Sequence, residues 1–128
     1  MDEFTIQIPR ERDFSAVADL VVGGIAARHD VTLDVLDDLQ LALDSLLGHD
    51  EADEREVGIV LRVGDDTIEA SVGPLAQRTA AALAEEAGDG IGLRRLLETT
   101  MDSVELSERD GSAWVDLRKG YVLAGTET

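Results

Sequence analysis

Val57-Gly58-Ile59-Val60-Leu61-Arg62-Val63-Gly64-Asp65-Asp66-Thr67-Ile68-Glu69-Ala70-Ser71-Val72 decides the fold of this chain. Two runs rich in β-branched residues flank Gly64-Asp65-Asp66, a triplet that supplies both the tight backbone and the polar side chains of a hairpin turn. A second pair, Ser103 to Ser107 and Ser112 to Leu117, meets in the same way at Arg109-Asp110-Gly111. Hairpins join antiparallel strands, since a parallel pair needs a long crossover. The sheet is therefore predicted to be mainly antiparallel.

Working outward, Phe4-Thr5-Ile6-Gln7-Ile8 alternates apolar and polar before Pro9 ends the pairing, which predicts a half-buried first strand at or near a sheet edge. Asp13 can cap a helix in which Phe14, Val17, Ala18, Val21, Ile25 and Arg28 recur at helical spacing, with Gly23-Gly24 inside it. Thr32 reads as the N-cap of a second helix, with Asp34 in its first turn and a stripe of Leu36, Leu39, Leu43, Leu46 and Leu47 ending near Gly48. Residues 48–56 are polar and charged, an exposed connector. Pro74 suits the first turn of an alanine-rich helix running to about Ala87, and after Gly88-Asp89-Gly90-Ile91-Gly92 another helix follows from Leu93 to about Thr100, with Leu93, Leu96 and Leu97 inside.

The order strand, helix, helix, strand, strand, helix, helix, strand, strand predicts an α+β two-layer sandwich, about five mainly antiparallel strands with helices on one face. A length of 128 residues suits one core. Residues 1–119 form the predicted domain and 120–128 a loose tail.

Composition narrows the chemistry. Without cysteine the chain has neither disulfides nor thiolate metal sites. A formal net charge of -17 opposes binding to phosphate backbones and anionic lipid, and Arg94-Arg95 and Arg118-Lys119 are the only adjacent basic pairs. No apolar run reaches the ~20 residues of a membrane span, and Met1-Asp2-Glu3-Phe4 lacks a basic leader, so the expectation is a cytoplasmic protein with no nucleic-acid or membrane partner. Such an acidic surface suits a basic protein partner.

Candidate metal and nucleophile constellations are weak. His29-Asp30 and His49-Asp50 end successive helices and imply no third ligand, so no metal site is expected. Asp44, Ser45 and His49 share one helix and lack an oxyanion loop, so they do not make a triad. Trp114, the one tryptophan, lies in the last strand, where alternation with Val115 allows either face, and the core is the commoner place for a lone tryptophan, a contact surface the other.

Leu36-Asp37-Asp38-Leu39-Gln40-Leu41-Ala42-Leu43-Asp44-Ser45 resembles the second-helix signature of the GHKL (Bergerat, histidine-kinase-type) ATPase superfamily, in its anti-sigma factor serine-kinase, RsbW-like branch, and the order of elements agrees over roughly the whole chain. The resemblance implies a glutamate base and a magnesium-holding asparagine on that helix, where this chain has Ser45 and His49. Serine at neutral pH cannot accept a proton as a carboxylate does, and magnesium prefers oxygen ligands. Asp44 points about 100° away around the helix.

The family's adenine-reading Asp-x-Gly-x-Gly is replaced by Ser71-Val72-Gly73-Pro74-Leu75. Gly88, Gly90, Gly92 and Leu93 match its glycine-rich phosphate loop, where backbone N–H groups can approach an anion. Gly73 and those four residues are the candidate nucleotide contacts. ATP and magnesium are what the resemblance implies, but the substituted positions argue for no cofactor and no catalytic residue. The implied partners are a sigma factor or an anti-sigma factor antagonist, with homodimerisation. The expected role is an anti-sigma-factor-like binding protein without kinase activity, and the alternative is an ATP-dependent kinase that phosphorylates an antagonist on serine.

Overall fold

The computed structural model describes residues 2–9, 12–49, 56–84 and 92–120, with the side chains of 12–15 and 49 excepted. The elements are β1 (Asp2–Ile8), α1 (Arg12–Arg28), α2 (Leu33–His49), β2 (Val57–Val63), β3 (Thr67–Gly73), α3 (Gln77–Ala84), α4 (Leu93–Thr100), β4 (Ser103–Arg109) and β5 (Ser112–Gly120). One five-stranded sheet runs β1-β2-β3-β5-β4, every neighbouring pair antiparallel. This is the predicted two-layer α+β sandwich, with β1 at one edge.

Local chemistry explains the joints. Gly64 N–H donates to the Thr67 carbonyl at 2.8 Å and closes the first hairpin. The second closes on Asp110 and Gly111, whose φ values of 52° and 78° both lie in the left-handed region that a two-residue hairpin turn demands. Arg109 belongs to β4 and pairs with Ser112, so both last strands run longer than the sequence predicts. Between α1 and α2, Val31 N–H donates to the Ala26 carbonyl and Asp30 N–H to that of Ala27, with Asp30 at φ 58°. That pattern ends a helix and turns the chain back, and the buried side chains of Ala26 and Val31 complete it. Leu36 N–H then donates to the Thr32 carbonyl, which puts Thr32 at the predicted N-cap.

Period-2 alternation sorts the sheet into two faces. Ile59, Leu61, Ile68, Ala70, Val72, Val115 and Leu117 are buried under the helices, against Leu39, Leu43 and Leu46 of α2, Leu83 of α3 and Leu97 of α4. The leucine stripe of α2 is thus core, and Leu36 and Leu93 pack on its margin. Lys119 fastens the layers together by donating to the Thr100 carbonyl at 2.7 Å while its ammonium lies 2.8 Å from Asp38. Among the described residues no helix is long and apolar enough to cross a membrane.

Three expectations need correction. Helix α1 rests on the sheet through Ala18, Val22 and Ala26, while Val17 and Val21 of the predicted stripe face outward and Arg28 is exposed. Ala18 of the predicted stripe is buried and Ile25 packs against the core, so the buried face is centred on Val22, about one residue round the helix from the predicted one. Pro74 does not start α3: Leu75 N–H donates to the Ala113 carbonyl at 2.8 Å, and this holds the chain to the sheet until Gln77. Trp114 lies not between the layers but half-buried on the uncovered face of the sheet. Residues 85–87, the predicted end of that helix, and 121–128, most of the predicted tail, lie outside the described residues.

Candidate functional site

The residues singled out by resemblance fall in two layers. Ser45 is half-buried in the fourth turn of α2, and His49 closes that helix. Helix α2 packs against α4, which Gly92 and Leu93 begin, so these four share the helical layer. Gly92 caps α4 through its carbonyl, to which Leu96 N–H donates at 3.1 Å, and no side chain caps the helix start. Gly88 and Gly90 lie outside the described residues.

Gly73 belongs to the sheet layer, and its close neighbour is on the far side from the helices. A Cβ built there would overlap the Trp114 indole at Cγ, Cδ2 and Cε2. The need for glycine at 73 is thus met by packing within the fold.

Asp44, the only carboxylate adjacent to Ser45, turns toward α1 and hydrogen-bonds the carboxyl of Asp19. Burial, then that hydrogen bond and the charge of Asp44, push the Asp19 pKa up to about 7. One oxygen of Asp19, Oδ1, is buried without a partner. Beside this pair Gln40 Nε2 donates to the Asp19 carbonyl at 3.0 Å and touches Gly23. The carboxylate next in sequence to the implied base position is therefore turned to Asp19 of α1. Sequence reading missed Asp19, whose only signal is a carboxylate set among the apolar residues of α1.

The uncovered sheet face carries a polar network around Ser71. Ser71 Oγ donates to Asp116 Oδ1 at 2.6 Å, and Arg109 donates to the same carboxylate at 3.0 Å. Arg62 reaches Ser71 Oγ at 3.3 Å and pairs with Glu3 at 3.2 Å. Arg109 also stacks 4.8 Å from the Trp114 ring centroid. A depression of about 360 Å³ opens here, bounded also by Ser103, Glu105 and Arg118. Its arginines face carboxylates, so the charges satisfy one another. Among the described side chains no imidazole stands beside Ser71 to take its proton: His29 lies on the helical side, 3.4 Å from Asp2 and edge-on to Phe4. Among the described residues no three histidines or acids come together as a metal-binding group.

The outward side of the helical layer differs in character. Val17, Leu20 and Val21 of α1 and Leu33 and Leu41 of α2 are the exposed large hydrophobic residues of the described chain. Exposed Asp34, Asp37 and Asp44 stand among those of α2.

Compared with models of known protein families and with curated proteins, the sequence matches none.

Proposed function

We propose that this chain is an anti-sigma-factor-like regulatory protein that acts by binding another protein and has no kinase activity of its own. The observation that carries this reading is the outward face of α1 and α2, where Leu20, Leu33 and Leu41 stand exposed beside Val17 and Val21. The candidate base position points the same way, because Ser45 cannot take a proton at neutral pH as a carboxylate does. A sigma factor or an anti-sigma factor antagonist is the partner that the resemblance implies, and a homodimer the implied assembly.

The second reading is an active kinase that uses ATP and magnesium to phosphorylate an antagonist on serine. One feature favours it: α4 starts at Gly92 with no side-chain cap, which leaves N–H groups for an anion. Thermal unfolding with millimolar magnesium-ATP separates the two. A nucleotide that binds the native state raises its melting temperature, so the binding-protein reading expects no shift and no phosphate transfer to an antagonist. Phosphoserine on the antagonist would replace it with the kinase.

A further inference from the structure

We propose that the outward face of α1 and α2 is the seat of a basic amphipathic helix supplied by the partner. The inference rests on the protein-binding reading above and names its surface and the chemistry it recognises.

The spacing is that of a helix seam. Val17, Leu20 and Val21 stand at i, i+3 and i+4 on α1, and Gly24 completes the turn at i+7 with nothing within 4 Å of where a Cβ would be. A second helix can approach the backbone closely at that glycine. Leu20 and Leu33 are the most exposed, at 77% and 74%, with Leu41 at 50%. Leu20 and Leu41 flank the line where the helices meet, which Asp19, Gly23, Gln40 and Asp44 mark.

Charge selects the occupant. Helix α2 exposes Asp34, Asp37 and Asp44 and has neither lysine nor arginine, Asp38 being paired with Lys119, while α1 adds the exposed Arg28 at the end of its seam. The exposed leucines of α2 are therefore interleaved with carboxylates. A second copy of the chain would set like charges together, on a molecule whose formal net charge is already -17. An anionic lipid surface meets the same repulsion. A helix with an apolar stripe bordered by lysine and arginine gains from both the leucines and the acids.

Fluorescence anisotropy with two synthetic helical peptides of identical apolar stripe, one bordered by Lys/Arg and one by Glu, tests this directly. The basic peptide should bind, weaken with added salt, and lose about tenfold or more of its affinity in Leu20→Glu and in Leu41→Glu. Both substitutions add negative charge, so attraction by charge alone would instead strengthen. Glu105→Gln on the opposite face of the molecule should change nothing. Circular dichroism checks the fold of each variant, and Leu20→Ala provides a milder form of the same test.

Equal binding of the acidic peptide, or a basic peptide indifferent to both leucine substitutions, overturns the proposal. So does a dimer that Leu20→Glu dissociates in a chain that ignores both peptides, since a second copy would then occupy the face. A sigma factor that binds the wild type and the Leu20→Glu, Leu41→Glu double variant alike would refute this surface and leave the binding function standing.

Discussion

Trp114 occupies the space that a side chain at Gly73 would fill. The two residues stand opposite each other one step beyond the Val72 and Val115 register pair, and Gly58, the register partner of Gly73, leaves room for the far edge of the ring at 3.6 Å. Two adjacent glycines thus form a floor for the indole, and Arg109 covers it from outside. Gly73→Ala should destabilise the protein by about 1–3 kcal/mol through overpacking. In urea denaturation, combining it with Trp114→Ala should cost less than the two separate losses added together.

Protonation of Asp19 gives the stability a definite pH dependence. Its pKa rises from 3.8 to about 7 in the folded chain, so between those values the native state holds a proton that the unfolded state has released. The contribution of this group is complete below pH 3.8 and is lost as pH rises through about 7. Asp19→Asn cannot ionise and still offers a donor to Asp44. Melting temperatures at pH 5.5 and 8 should show the variant gaining on the wild type at the higher pH. An equal difference at both would contradict the raised pKa.

Lys119 joins three elements through one ammonium, and its side chain is only 18% exposed. Lys119→Met keeps much of the stem but leaves the Thr100 carbonyl and the Asp38 carboxylate without that donor. A loss of about 1–3 kcal/mol is expected from chemical denaturation.

Leucines inside and outside the helical layer should differ sharply in what their truncation costs. Leu39→Ala empties part of the core beneath α2 and should cost about 2–5 kcal/mol. Leu20→Ala, at a residue that is 77% exposed, should stay within about 0.5 kcal/mol of the wild type. A large loss at Leu20 would mean that it is structural, and would remove the reason for reading its face as a contact surface.

Much of the fold was legible because its signals are local. Gly64-Asp65-Asp66 and Asp110-Gly111 carry turn chemistry within a few residues, and the leucines of α2 repeat at a single period. Helix α1 was harder, because apolar residues surround most of it: the predicted stripe holds Ala18 and Ile25, which face the core, but also Val17 and Val21, which do not, and it leaves out the buried Val22 and Ala26. Only the fit against the strands selects the face that is buried. Of the site that the resemblance implies, only the identities of Ser45 and His49 were read from the chain itself. The engagement of Asp44 with Asp19 was not, since 24 intervening residues and a chain reversal separate them.

The order of elements, the antiparallel pairing and the acidic character follow from the chain itself, because backbone preference, side-chain period and charge are properties of neighbouring residues. Contacts between distant segments decided the rest: which face of α1 meets solvent, where the indole of Trp114 lies, and which carboxyl keeps its proton. Each depends on how closely two surfaces pack and on how much water they exclude, and no short stretch of sequence contains both surfaces.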